Sequence, residues 1–250
     1  MRHIHGFFIM LLMLISVGPV MANQYDDALK AFSNKDYKRA YELSLALAKQ
    51  NHAAAQYLLA KLYYTGNGVP VNLQEGLRFH ELAAKNGDPS AQFNLGALYD
   101  PDTDDGGTIV KKRDLETAMY WYEKAAQNGN PEAQFNYGVT FLSGQGKYKQ
   151  DYAKAATWIR KSAEQGLIAA EVKLGLMYIY GAGVPKDISM AIHWYEIAAK
   201  AGNADAQYGL GVFYDQGDGV KEDQSKAKFW YTQAAQQGHP GAIHNLKTFK

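Results

Sequence analysis

The stretch Ala170–Asp205, AEVKLGLMYIYGAGVPKDISMAIHWYEIAAKAGNAD, is written again immediately downstream. Ala206 falls under Ala170 at a distance of 36 residues, Leu210 and Gly211 under Leu174 and Gly175, Tyr214 under Tyr178, and Trp230 and Tyr231 under Trp194 and Tyr195. Self-similarity at a period in this range marks a solenoid, because one helix pair cannot bury its apolar face alone and stacked copies share a continuous core.

Working outward, five full repeats start at Ala55, Ala91, Ala133, Ala170 and Ala206, and a sixth begins at Ala242 and stops after Leu246. The repeats span 55–90, 91–132, 133–169, 170–205 and 206–241, with a partial repeat or cap over 242–250. The first helix of each carries alanine, leucine, a small residue and an aromatic on one face, as in Ala91, Leu95, Gly96 and Tyr99. A helical glycine costs up to about 1 kcal/mol of propensity, so its recurrence predicts close approach of the partner helix. Glycine pairs follow that helix in four repeats: Gly66 and Gly68, Gly144 and Gly146, Gly181 and Gly183, Gly217 and Gly219. They turn the chain back at positive φ. A phosphate-cradling loop would need a third glycine or a following Lys-Ser/Thr after a strand, and none is present.

The second helix opens with Asn72, Asp114, Asp151, Asp187 or Asp223, all strong N-cap types. It closes at Gly87, Gly129, Gly166, Gly202 and Gly238, and Pro89, Pro131 and Pro240 sit where the next helix begins. Upstream, residues 23–54 lack the full pattern. Two apolar stripes, Ala28-Leu29-Phe32 and Tyr37-Ala40-Leu43-Leu47-Ala48, flank the polar break Ser33–Asp36 and predict a capping hairpin of helices.

The pattern A-x-x-x-L-G-x-x-Y-x-x-G-x-G-V-P-x-D-x-x-x-A-x-x-W-Y-x-x-A-A-x-x-G resembles the Sel-1-like repeat family, a relative of the tetratricopeptide repeats, over about residues 55 to 246. The resemblance implies an all-α fold, a right-handed α/α superhelix with a concave groove, and an adaptor that binds other proteins. Departures are Phe79-His80 for Trp-Tyr in the first repeat, Ile159 and Ser162 for tyrosine and alanine in the third, and a longer acidic loop in the second. Exported members often tie each helix pair with a disulfide, whereas this chain has no cysteine.

Residues 1–22 read differently from the rest. Arg2, His3 and His5 precede an apolar run from Phe7 to Val17, Gly18-Pro19 breaks it, and Val20-Met21-Ala22 supplies small residues at its end. This is the pattern of a cleavable signal peptide, cut after Ala22, and the run is well short of the roughly 20 residues of a membrane-spanning helix. A periplasmic or secreted protein without stable membrane insertion is expected. Of the 250 residues, 26 are Lys or Arg and 25 Asp or Glu, so loss of Arg2 leaves a formally neutral chain. With no basic run, nucleic acid is not an expected partner.

Other chemistry is set against the repeat. Asp100-Pro101-Asp102-Thr103-Asp104-Asp105-Gly106-Gly107 resembles a calcium loop, but Asp105 stands where the sharp-turn glycine is needed and Lys111 where a bidentate glutamate should close the site. A solvated acidic turn is the preferred reading. Ser225-Lys226-Ala227-Lys228 matches Ser-x-x-Lys of penicillin-recognising enzymes without their Ser-Asp-Asn or Lys-Thr-Gly. It reads as helix surface, and no catalytic residue is expected. His52, His80, His193, His239 and His244 lack a zinc-binding spacing, so neither metal nor cofactor is expected. The aromatic stripe Tyr57, Phe93, Phe135 and Tyr208 reads as core rather than as a ligand-stacking groove.

Specificity should lie where repeats differ while facing the groove. The residue after the stripe is such a position: Leu58, Asn94, Asn136, Lys173 and Gly209. If first helices line the groove, Asn94, Asn136 and Lys173 are the expected polar contacts to a protein partner. The expected function is a non-enzymatic scaffold of the bacterial cell envelope. Its alternatives are a penicillin-binding, β-lactamase-like or other cell-wall hydrolase, and a secreted factor engaging host-cell proteins.

Overall fold

In the computed structural model the described residues are 17–101, 114–144 and 147–249, and they form thirteen helices and no strands. Residues 1–16 of the leader, and Asp102–Gly107, Lys111 and Gly146, lie outside the described residues. No described helix is long and apolar enough to cross a membrane.

The chain divides into two bodies, one ending at Leu82 and one starting at Ala83. The first holds α1 (Val17–Ser33), α2 (Tyr37–Ala48), α3 (Ala53–Thr65) and most of α4 (Leu73–Lys85). Its buried core joins Ala28 of α1 and Ala40 of α2 to Leu58, Leu59 and Leu62 of α3 and Phe79 of α4. The polar break turns where expected: Lys35 takes φ 62° and Asp36 caps α2 by accepting from the Arg39 N–H. Against the same core Tyr63 stacks on Phe79, and the Tyr41 and Tyr63 hydroxyls meet at 3.1 Å.

The second body continues with α5 (Pro89–Tyr99), α6 (Leu115–Gln127), α7 (Pro131–Ser143), α8 (Tyr152–Ala163), α9 (Ile168–Tyr180), α10 (Ile188–Lys200), α11 (Ala204–Gln216), α12 (Gln224–Gln236) and α13 (Pro240–Thr248). From α5 to α13 successive helices pack against one another in chain order, the nearest-neighbour order of an α/α solenoid of helix pairs. A single cluster of buried residues runs from Ala118 to Phe213, and Tyr231 and Ala242 anchor a smaller one at the end.

The capping logic holds. Asp114, Asp151, Asp187 and Asp223 each accept a backbone N–H from the first turn of α6, α8, α10 and α12. Gly129, Gly166, Gly202 and Gly238 follow the second helices at φ between 84° and 93°. The small residue of each first helix takes the aromatic of the second: a Cβ on Gly96 would lie 2.7 Å from the Tyr122 ring, and one on Gly175 only 2.5 Å from the Tyr195 ring. Where Ile159 replaces the tyrosine it fills the same place over Gly138. In two of the glycine pairs the second glycine also lets loop and backbone meet across repeats. Gly183 sits against the Tyr152 carbonyl at the start of α8, and Gly68 against Tyr37 at the start of α2.

Candidate functional site

The positions expected to contact a partner lie one turn or more into the first helices, and the structure divides them into two kinds. Leu58 is buried in the core of the first body at 4% exposure. Gly209 is also committed to packing, because its Cα faces one edge of the Tyr195 ring while Gly175 faces the other. Tyr195 is thereby clamped between α9 and α11, and a side chain at 209 has no room. Asn94, Asn136 and Lys173 are each half-buried on α5, α7 and α9. All three belong to the second body, on alternate helices of the stack.

Asn136 opens onto a cavity of about 220 Å³ lined also by Asp100, Leu115, Met119, Tyr122, Val139 and Thr140. Its lining mixes apolar and polar side chains. Asp100, the C-cap of α5, accepts a 3.1 Å hydrogen bond from the Tyr122 hydroxyl, and the Thr140 hydroxyl donates back to the Asn136 carbonyl. Such a mixture can take a small apolar side chain and orient its backbone, which is how a helical groove reads an extended segment. The cavity does not include Asn94 or Lys173.

The aromatic stripe is packing. Phe93 and Phe135 lie against the central cluster, Phe93 meets Tyr122 at 5.6 Å, and Tyr208 meets Tyr231 at 5.8 Å and stacks on His239 at 4.4 Å. Among the described residues no three His, Cys, Asp or Glu side chains gather as a metal site. His52 and His239 are N-caps, their Nδ1 atoms accepting from the Ala55 and Ala242 N–H groups at 3.2 Å. They do for α3 and α13 what Asp88, Asn130 and Asn203 do for α5, α7 and α11. His80 is buried beside Tyr64, and His193 is exposed against the edge of Trp194. Ser225 and Lys228 are both exposed on α12.

One recurrent polar position was not anticipated. The residue after the first-helix alanine is Gln56, Gln92, Gln134 or Gln207, and all four are at most 5% exposed. Each donates its amide N–H to the alanine carbonyl eight residues upstream, Ala48, Ala84, Ala126 or Ala199, at 2.9–3.1 Å. In three repeats the glutamine Oε1 in turn accepts from the side-chain amide that precedes the closing glycine: Asn128 to Gln92, Gln165 to Gln134 and Gln237 to Gln207, at 2.7–2.8 Å. This amide relay ties the end of one repeat to the start of the next and to its own second helix. Its signal was the glutamine recurring directly after Ala55, Ala91, Ala133 and Ala206. Glu171 occupies the place in the remaining repeat, 3% exposed, and burial pushes its carboxyl above the usual range.

Comparison with known proteins agrees with this architecture. The Sel1 repeat model matches residues 53–88, 89–130, 131–167, 168–203 and 204–239. The chain is similar to the crystal structure of a Sel1 repeat protein from Oxalobacter formigenes, at 32% identity and a TM-score of 0.70, over 90% of this chain and 89% of that one. It is also similar to c5321, a protective antigen present in uropathogenic Escherichia coli strains that displays an SLR fold, at 30% identity and a TM-score of 0.74. That match covers 91% of this chain and only 48% of the other, so the chain spans about half of that protein. A comparison with curated proteins gave no match. Sel1 repeat proteins are generally protein-interaction scaffolds and typically non-enzymatic. With five matched repeats, helix pairs in nearest-neighbour order and a structural relative covered over 89% of its length, the chain belongs to the Sel1 repeat family.

Proposed function

We propose that the chain is a non-enzymatic adaptor of the bacterial cell envelope, holding a protein partner along its first-helix face through Asn94, Asn136 and Lys173. The observation that carries this is subtraction. Alanines, glycines, aspartates and aromatics that recur are each consumed by turn, cap or core, while these three positions are half-buried, polar and different from repeat to repeat. The Asn136 cavity would take an apolar side chain of the bound segment, with Asn94 and Lys173 meeting its backbone or a carboxylate. Export is supported by the leader pattern of residues 1–22.

The test is capture from an envelope extract by the wild type and by the triple variant N94A/N136A/K173A, matched for melting temperature. A protein retained by the first and lost from the second supports the reading. Equal capture by both would remove these residues from the interface, and no specific capture by the wild type would remove the adaptor itself. Fractionation into periplasm and medium tests the location, and recovery in the cytoplasm with residues 1–22 attached would overturn export.

A further inference from the structure

The joint between α8 and α9 differs from its counterparts at three places. Elsewhere a glutamine donates to the alanine carbonyl eight residues upstream, and register makes Ala163 that carbonyl for position 171. The backbone of the joint is the common one: Gly166 donates to Ala163 at 2.9 Å, as Gly129 does to Ala126 and Gly202 to Ala199. Yet Glu171 has no amide to give, and its Oε2 is buried without a hydrogen-bond partner. The amide that would feed it is also missing, since Ala201 stands where Asn128, Gln165 and Gln237 stand. The N-cap of α9, Leu167, provides no side-chain hydrogen bond, unlike those of α3, α5, α7, α11 and α13.

An ionised carboxylate here would set its buried Oε2, an acceptor, toward a carbonyl with nothing to donate. That arrangement combines the desolvation of a charge with lone pairs facing each other. A carboxylic acid resolves it, because its O–H is a donor in the place of the glutamine N–H. We infer that Glu171 is carried as the neutral acid, its proton donated to the Ala163 carbonyl, and that the strength of the α8–α9 joint depends on that proton.

The charged groups at this end of the neighbouring helices are otherwise engaged or exposed. On α8, Arg160 donates to the Tyr178 hydroxyl at 2.8 Å, Lys161 lies over Trp158 at 4.3 Å, and Glu164 just beyond the helix is exposed. On α10, Lys200 pairs with Glu196 at 3.9 Å, and on α9 itself Lys173 is half-buried. At the start of α11, Asp205 pairs with His239. Burial is what raises the Glu171 carboxyl. A folded-state value above the unfolded one means that the joint keeps its full strength at pH below the unfolded carboxyl range, and loses strength as pH rises through the raised value.

The experiment compares unfolding of the full chain and of E171Q, which restores the residue of the other four repeats, from about pH 4 to about pH 8, a range that opens at the ordinary glutamate value. The midpoint of the wild type is expected to fall relative to E171Q as pH rises, the two converging at the acid end. A201Q, which offers the carboxyl an amide donor, is expected to flatten the wild-type profile. Difference infrared spectra should show a protonated carboxylic carbonyl in the wild type that E171Q lacks. Parallel pH profiles for wild type and E171Q, or no such band at the acid end, would overturn the inference.

Discussion

Replacing Gly175 by alanine sets two effects of opposite sign against each other. Alanine in a helix interior is favoured over glycine by about 1 kcal/mol. The new Cβ, however, would stand 2.5 Å from Cε1 and 2.6 Å from Cδ1 of Tyr195. The ring is 6% exposed and has nowhere to go, since its opposite edge meets Gly209 and its face leans on Phe213 at 5.9 Å between centroids. Overpacking of this kind costs about 1–3 kcal/mol. At the middle of that range, about 2 kcal/mol, the steric term wins by about 1 kcal/mol, which for a chain of this size lowers the melting temperature by roughly 2–4 °C. Thermal melts followed by far-ultraviolet circular dichroism, with urea titration for the slope, measure it. The first repeat supports the logic, since alanine stands at position 60 where the opposing residue is the smaller ring of His80. In a Y195L background the same Gly175→Ala change should therefore be neutral or stabilising. If G175A alone melts at or above the wild type with an unchanged urea slope, the clamped ring is not what holds α9 to α10.

Gly183→Ala should cost at least twice as much as Gly202→Ala: both need positive φ, at about 1–2 kcal/mol for a side chain, but only at 183 would the Cβ also strike a backbone carbonyl, that of Tyr152. Urea unfolding of the two variants ranks them. Asp187→Ala removes the acceptor of the Met190 N–H and should lower stability by about 1 kcal/mol, with hydrogen exchange rising first in the opening turn of α10. In alkali, burial pushes Tyr195 and Tyr231 from 10.0 to about 12, so the neutral phenols favour the folded chain. Stability is then present below pH 10 and lost as pH rises toward 12, and phenolate absorbance should show these two rings titrating together with unfolding rather than in the ordinary range.

The fold was legible because its determinants are local and recur. An aspartate ahead of an apolar run, a glycine behind it and alanines at helical spacing keep their meaning in each copy, and the Asp187 hydrogen bond and the left-handed Gly202 follow directly. What was hidden has its partner elsewhere in the chain. Gln134 in an apolar register has no sequence signature of burial; its two partners, Ala126 and Gln165, lie 8 and 31 residues away. His239 was weighed as a metal ligand, yet its job is that of Asp88, because a ring nitrogen can accept the same N–H as a carboxylate. The candidate site was half visible. Comparing repeats picked out the variable position, but only the Tyr195 clamp separates Gly209, which packing dictates, from Asn94, Asn136 and Lys173.

The amide relay carries a consequence for how such an array can change. Four of the five repeats bring a glutamine on the first helix, which donates to the alanine carbonyl near the end of the preceding second helix. Excision of one whole period, or insertion of another, therefore joins a compatible carbonyl to a compatible glutamine without any compensating substitution. Length becomes a heritable variable that mutation can adjust in steps of one module, and the joint at Glu171 is the place where such a splice would alter the connection.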